Sequence, residues 1–222
     1  MKRVGPKRVS LLEVGSGINP YGIVSQARRA EKKRIGRKFI GSDTHLNLTQ
    51  ALRAFGLREL PKNAKVLKEC SIKTLKAQPN KSLDIVFGSF FLNGVVTESK
   101  SKVDSVKSYK EFFGNAKRVL KPNGRLILVM HWIEALNYVE GAKVFGFSSH
   151  LLPVSEKMVE NSTSEWIQGM STKNGRERLL KHNENNHDTS FVQKSQNFAL
   201  NKGLSADEAA KPMIVIMRKL KG

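Results

Sequence analysis

Apolar and polar residues alternate along the chain in short apolar runs separated by longer segments of helical periodicity. Residues 9–14, Val-Ser-Leu-Leu-Glu-Val, are mostly apolar and end at glycines, which predicts a buried strand entering a tight turn. Residues 21–34 predict a helix, and residues 38–42 predict a second strand that ends beside Asp43. The chain therefore opens with a β-α-β unit.

Two further helices and three further strands are predicted up to residue 130. Residues 46–55 are predicted to be helical, and residues 65–67 and 83–87 to be extended. Apolar residues three and four apart predict a long helix over residues 103–120, whose stripe comprises Val103, Val106, Tyr109, Phe112, Phe113, Ala116, Val119 and Leu120. Residues 121–124, Lys-Pro-Asn-Gly, predict a turn, and residues 125–130 predict a fifth strand.

Strands that alternate with helices predict a parallel sheet covered on both faces, with ligands at the carboxyl ends of its strands. Beyond residue 132 the pattern predicts a helix over 133–142, an extended segment over 144–152 and a last strand over 213–217. The polar residues 153–211 are either a substrate-side insertion or partly disordered. We expect one domain over residues 1–222 with this insertion.

The segment from Glu13 to Gly17 carries the first chemical signal. An acidic residue at the end of a strand is followed by Gly15, Ser16 and Gly17, and glycines let a ligand lie against the backbone. A dinucleotide fingerprint would need a third glycine where Pro20 stands. An ordinary strand-to-helix turn is the alternative.

Asp43 follows the second strand and carries the second signal. Its carboxylate would accept hydrogen bonds from both hydroxyls of an adenosine ribose. The alternative is a helix N-cap, a role that Asp43, Thr44 or Asn47 would each fill. The glycine loop after the first strand favours the ligand.

Four motifs in order make the chain resemble class I S-adenosylmethionine-dependent methyltransferases. They are Leu-Leu-Glu-Val-Gly-Ser-Gly at 11–17, Phe-Ile-Gly-Ser-Asp at 39–43, Ser-Leu-Asp-Ile-Val-Phe at 82–87 and Arg-Val-Leu-Lys-Pro-Asn-Gly-Arg-Leu at 118–126. The resemblance implies an α/β fold, with a Rossmann-like, mostly parallel seven-stranded sheet, helices on both faces and an antiparallel last strand. It also implies an enzyme with S-adenosyl-L-methionine as its cofactor.

The resemblance also implies roles for single residues. Gly15, Ser16 and Gly17 would line the methionine end of the cofactor, Glu13 would support their loop, and Ser89 would face the methyl group. Cys70 and Ser71 stand where the family usually has an acid for adenine, and Glu69 would replace it only with a register shift. The expected cofactor-binding residues are Glu13, Gly15, Ser16, Gly17, Asp43, Thr44, Cys70, Ser71 and Ser89.

His131, at the end of the fifth strand, is the candidate general base, because histidine titrates near neutral pH. The alternatives are a histidine hydrogen-bonded at a strand end, or catalysis by alignment alone. Residues 89–92 read Ser-Phe-Phe-Leu, which disfavours methylation of exocyclic base amines. His182 and His187 stand in an asparagine-rich stretch without cysteines, so we expect no metal site.

The charge of the chain points to the substrate. There are 39 Lys and Arg against 19 Asp and Glu, a formal net charge of +20, which favours a phosphate-rich partner such as RNA. Basic clusters stand at residues 28–29, 32–34 and 37–38. Three alternatives stay open: a lysine-rich composition without a partner, methylation of a small molecule or a protein side chain, and a non-catalytic binding domain with this fold.

Cysteine content and hydropathy bear on the compartment. Cys70 is the single cysteine and cannot form an internal disulfide, so we expect a reducing, cytoplasmic location. The longest apolar stretch, residues 83–96, is shorter than the roughly 20 residues that cross a bilayer. No membrane span is expected.

Overall fold

The computed structural model describes residues 10–15, 21–44, 47–89, 102–131, 141–155, 171–175 and 211–220, and residues 135, 138, 139, 157, 177, 201, 203 and 205. In chain order the elements are β1 (Ser10–Val14), α1 (Tyr21–Lys32), β2 (Lys38–Ser42), α2 (Leu48–Ala54), β3 (Ala64–Leu67), α3 (Ser71–Ala77), β4 (Leu83–Ser89), α4 (Lys102–Val119), β5 (Leu120–His131), β6 (Phe147–Pro153) and β7 (Pro212–Lys219).

The strands form one seven-stranded sheet in the order β3-β2-β1-β4-β5-β7-β6. Strand β1 pairs in parallel with β2 and β4, and β2 pairs in parallel with β3. The amide of Leu220 donates to the carbonyl of Gly146, and the amide of Val154 donates to that of Pro212. These two bonds join opposite ends of β6 and β7, so the last strand is antiparallel, as the resemblance implies.

Helices cover both faces of the sheet. Right-handed crossovers place α1 and α2 on one face, where they contact each other, and place α4 on the opposite face in contact with α3. On the α1 face, Ile23 and Ala27 pack with Phe39 in a buried cluster. On the α4 face, Leu12 and Val14 are fully buried.

Helix α4 buries the stripe that the sequence predicts. Phe112, Phe113, Ala116, Val119 and Leu120 are all fully buried; the side chains of Val103 and Val106 lie outside the described residues. The Phe113 ring stacks on Phe145 with a centroid separation of 4.3 Å and meets Phe147 edge-on at 6.3 Å. This aromatic cluster supplies much of the apolar area that holds α4 in place.

Helix α1 ends in a Schellman motif with arginine at the usual glycine position. Arg34 has φ of 53°, its amide donates to the Glu31 carbonyl, and the Ile35 amide donates to the Ala30 carbonyl at 2.8 Å. These bonds satisfy carbonyls that the helix end would leave unpaired. A non-glycine residue in the left-handed region carries strain of order 1 kcal/mol.

Arg118, in the last turn of α4, ties this helix to the end of α3. Its guanidinium donates to the carbonyls of Leu75 at 2.9 Å, Lys76 at 3.1 Å and Gln78 at 2.9 Å. It also bonds the Asn80 side chain at 2.7 Å. One fork of donors thus binds carbonyls at the end of α3, where the Leu75 carbonyl also accepts the Gln78 amide at 3.1 Å.

The elements predicted up to residue 130 and the last two strands are present, with shifted ends and one omission. The helix predicted over residues 133–142 lies partly outside the described residues, and those of its residues that are described are helical. Helix α3 was not predicted, because its seven residues hold too few apolar positions to show a period. Strand β5 begins at Leu120, not at residue 125, so residues 121–124, predicted as a turn, belong to the strand. They lie close against β4: a Cβ on Gly124 would stand 3.1 Å from the Leu83 carbonyl oxygen. Strand β6 begins at Phe147, three residues later than predicted.

The chain forms two compact units. The first comprises Met1–Leu128, Val144–Ser148 and Met217–Gly222, and the second comprises Val129–Lys143 and Ser149–Ile216. The predicted single domain, and the role of residues 153–211, remain predictions. In the described part of the chain, none of the helices is long and apolar enough to cross a membrane.

Candidate functional site

The strand registers bring several predicted site residues to one edge of the sheet. Val14, the last residue of β1, is level with Ser42 of β2 and with Gly88 of β4. The next residue on each strand therefore stands at the same level: Gly15 after β1, Asp43 after β2 and Ser89 in β4. Neighbouring strands lie about 4.8 Å apart, so Gly15 is adjacent to both Asp43 and Ser89. We call this the carboxyl edge of the sheet.

Gly15 adopts a conformation that favours glycine. Its φ is 63°, in the left-handed region where a Cβ would crowd the backbone. The turn after β1 therefore both requires glycine and leaves no side chain above the carboxyl edge. A ligand that lies against the backbone needs this combination.

Asp43 is held beside β3 through its main chain. Its amide donates to the carbonyl of Leu67 at 3.2 Å, which prolongs the β2–β3 ladder by one residue beyond Ser42. Asp43 and Thr44 are both partly exposed. The carboxylate thus stands on a fixed backbone at the end of β2, with two acceptor oxygens for hydroxyl donors.

Glu13 points to the α1 face, because it alternates with the buried Leu12 and Val14 along β1. A Cβ on Gly22, in the first turn of α1, would lie 3.3 Å from Glu13 Oε2 and 3.4 Å from Oε1. The carboxyl group therefore packs against the start of the helix. Burial raises the pKa of Glu13 to about 7, since desolvation disfavours the charged form.

A cavity of about 280 Å³ adjoins Glu13 between α1 and the sheet. The lining is mostly apolar and comprises Leu11, Glu13, Gly22, Ile23, Gln26, Arg37, Phe39, Ile85 and Phe87. Sequence reasoning did not find this cavity. The alternation along two strands could have indicated it. On β1, Leu11 and Glu13 face the same side of the sheet, and on β4 they pair with Ile85 and Phe87.

The expected adenine region lies at the start of α3. Cys70 precedes the first residue of this helix, Ser71, and both are partly exposed. Glu69 accepts a hydrogen bond from Thr74 Oγ1 at 3.1 Å and pairs with Lys73 at 3.4 Å. Its carboxylate is therefore engaged by the first turns of α3, which argues against the register shift that would bring it to adenine.

The remaining expected residues lie wholly or partly outside the described residues. Ser16 and Gly17 are outside them, as are the side chains of Ser89 and His131, although the backbones of both belong to strands, β4 and β5. His182 and His187 are also outside. The structure thus brings Glu13, Gly15 and Asp43 together at the ends of β1 and β2, with Cys70 and Ser71 after the adjacent strand β3.

Comparison with known proteins identifies the fold. No protein-family model and no curated protein sequence matches the chain. Phosphoethanolamine N-methyltransferase 2 of Haemonchus contortus, solved with phosphomonomethylethanolamine and S-adenosylhomocysteine, is 18% identical, with a TM-score of 0.50, over 99% of this chain and 51% of its own. An antibiotic-related methyltransferase is 12% identical, with a TM-score of 0.50, over 97% and 90%.

These similarities establish architecture. This chain spans about half the length of the Haemonchus protein. At such identities the shared property is the fold, which in both cases includes nearly all of this chain. The chain has the class I S-adenosylmethionine-dependent methyltransferase fold, as its motifs predict.

Proposed function

We propose that this protein is an S-adenosylmethionine-dependent methyltransferase that binds its cofactor at the carboxyl edge of β1 and β2. The observation that carries the proposal is the β1–β2 register, which sets Gly15, with its positive φ, beside Asp43. In doubly wound α/β sheets, ligands bind outside the carboxyl ends of the strands. This edge therefore combines a bare backbone with a carboxylate at the position where the fold accepts ligands.

The residues at this edge fit the parts of the cofactor. Gly15 leaves room for the methionine end to lie against the β1 turn, and Asp43 offers two oxygens to the two ribose hydroxyls. Cys70 and Ser71, after β3, are in place for the adenine. Glu69 already contacts Thr74 and Lys73. We therefore expect the backbone and side chains of Cys70 and Ser71 to contact the adenine.

The bound cofactor supplies an electrophilic methyl group on a sulfonium centre. The chain has to align a nucleophile in line with that group and keep both fixed, and such alignment alone accounts for a large part of the rate. Ser89, next to Gly15 across the strand register, is the candidate to line the methyl site. His131 is the candidate to accept a proton from the nucleophile.

For the substrate we propose RNA. The support is the net charge of +20, which favours a polyanionic partner. Methyl transfer to a small molecule or a protein side chain would not need this charge, and a non-catalytic binding domain would not need the cofactor. Methyl transfer to RNA and calorimetric binding of the cofactor distinguish these alternatives.

The test is transfer of labelled methyl groups from S-adenosylmethionine to purified RNA, with Asp43→Ala and ribonuclease-treated RNA as controls. The proposal expects label in intact RNA only, and strongly reduced transfer by the variant. Cofactor binding without methyl transfer to RNA would indicate that the substrate is a small molecule or a protein. Absence of cofactor binding in calorimetry would contradict the enzymatic function itself.

A further inference from the structure

Exposed basic side chains collect at the edge of the sheet opposite the candidate site. We call this the amino edge: it is where β1 to β5 begin and where α1 to α4 end. The Phe39 amide donates to the Asn63 carbonyl, which joins the starts of β2 and β3. The exposed cations there are Arg29, Lys32, Lys33, Arg34, Arg37, Lys38, Arg53, Arg58, Lys62, Lys81 and Arg125.

Exposed acidic residues are fewer than exposed cations at the amino edge. In the described part of the first unit, Glu13, Asp43 and Glu69 all lie at the carboxyl edge. The exposed acids near the amino edge are Glu31 and Glu59. Eleven unpaired exposed cations among the described residues therefore stand at this edge beside two exposed acids, which leaves a local excess of positive charge.

Asp84 also lies at the amino edge, but its charge is already matched. It accepts bonds from Lys121 Nζ at 2.7 Å and from the Ser10 amide at 2.8 Å. Lys76, a further exposed cation in the last turn of α3, pairs with Glu111. Among the described residues, none of the other exposed cations named above forms an ion pair. Their charge is therefore available to a partner.

Helix dipoles explain only some of these cations. Arg29, Lys32 and Arg53 stand in the last turns of α1 and α2, where a positive charge complements the helix end. Other cations stand outside the helices. Lys38 begins β2, Lys81 precedes β4, and Arg125 lies in β5 next to Gly124, which is close to Leu83. These residues gain little from a helix dipole, which acts only within the last turn.

Backbone strain coincides with two of the cations. The described non-glycine residues with positive φ are Arg34, at 53°, and Lys81, at 50°. Both are exposed cations at the amino edge, where glycine would remove the strain. A basic residue thus stands at two positions where its backbone conformation is unfavourable, and we take this as support for a use of the charge beyond folding.

We propose that the amino edge binds the phosphate backbone of RNA, on the side of the sheet opposite the candidate cofactor site. This inference rests on the proposed RNA methyltransferase function. Five strands spaced about 4.8 Å apart give a basic surface about 19 Å wide. Strands of five residues separate the two edges by about 17 Å. A single nucleotide does not reach both edges, whereas an extended RNA strand does.

The test is binding of a mixed-sequence single-stranded RNA across a salt series. One variant carries Arg34→Gly and Lys81→Gly, and another carries Gln at positions 32, 33, 34, 37 and 38. A matched control carries Gln in place of five exposed lysines elsewhere: Lys68, Lys107, Lys110, Lys143 and Lys211. S-adenosylhomocysteine binding is measured by calorimetry for every protein.

The expected result is a log–log salt slope that is shallower by about 0.7 for each phosphate contact removed, or about five-fold weaker binding per contact at 0.1 M salt. The control should keep the wild-type slope. The double glycine variant should also unfold at a higher temperature than wild type, which excludes unfolding as the cause of weaker RNA binding.

Three results would contradict the proposal in distinguishable ways. An unchanged salt slope of RNA affinity in both amino-edge variants would show that the amino edge does not bind RNA, and would leave the proposed enzymatic function unaffected. Equal binding of poly-glutamate indicates a general polyanion surface, and so also overturns the proposed RNA surface. No RNA binding by wild type at low salt, with S-adenosylhomocysteine still bound, overturns the RNA substrate together with this surface.

Discussion

At the residue scale, Glu13 makes stability depend on pH. Its pKa is about 7 in the folded protein against an ordinary value of 4.5, so the folded state binds the proton more tightly than the unfolded chain. The free energy of unfolding should therefore fall as pH rises from about 4.5 to about 7 and level off above that. Glu13→Gln should remove this fall and stabilise the protein at pH 8 by up to about 3 kcal/mol.

Urea unfolding at a series of pH values measures this effect. Glu31→Gln is the matched control, because Glu31 is an exposed acid on α1 outside the cavity that Glu13 lines. It should keep the wild-type pH dependence. Parallel pH profiles for Glu13→Gln and wild type would show that the Glu13 carboxyl group is not desolvated.

Arg34 is the second residue whose conformation has a measurable cost. Arg34→Gly should raise the free energy of unfolding by about 1 kcal/mol, because glycine adopts the positive φ of the Schellman motif without strain. Lys32→Gly, two residues earlier inside α1, should instead lower it by about 1 kcal/mol. Chemical denaturation of both variants checks the pair, and a loss of stability in Arg34→Gly would contradict the assigned helix end.

The sequence predicts part of the candidate site at this scale. Gly15 and Asp43 could be placed together because each follows a strand of a parallel sheet, and the observed register agrees. The cavity beside Glu13 could not be predicted. It depends on the pairing of Glu13 with Phe87 and on the missing side chain of Gly22, and such long-range registers leave no local pattern.

At the element scale, Arg118 fixes α3 to α4. Arg118→Ala removes donors to the carbonyls of Leu75, Lys76 and Gln78, and should lower the free energy of unfolding by about 2–3 kcal/mol. Lys110→Ala, an exposed site on the same helix, should change it by less than about 0.5 kcal/mol. Thermal unfolding measures the stability of both variants. Equal losses of stability would show that the Arg118 hydrogen bonds do not hold α3 to α4.

The ease of predicting each element follows from its length and pattern. Helix α4 was predictable because its stripe repeats over five turns, and β1 because its apolar run ends at glycines. Helix α3 has seven residues, and Thr74 and Leu75 are its buried positions, so no period emerges. Its place is set by Arg118 from a distant part of the chain, which local propensity does not encode.

At the scale of the whole molecule, the candidate cofactor site and a group of exposed cations lie at opposite edges of one sheet. The carboxyl edge holds Gly15 and Asp43, and the amino edge holds the unpaired cations. Sequence alone gave the net charge of +20 but not this separation, because it arises when parallel strands align their starts and their ends. Proposed cofactor binding and proposed RNA binding therefore predict effects that separate variants can measure independently.

Calorimetric titration of S-adenosylmethionine tests the central claim most directly, with wild type, Asp43→Ala and the control Glu59→Ala, an exposed acid near the amino edge. The account predicts tight binding by wild type and by the control. Asp43→Ala should weaken binding by about 1.5–3 kcal/mol, or about 10- to 150-fold, because hydrogen bonds to a charged acceptor are lost. Equal affinity of Asp43→Ala and wild type, or no binding by wild type, would contradict the account.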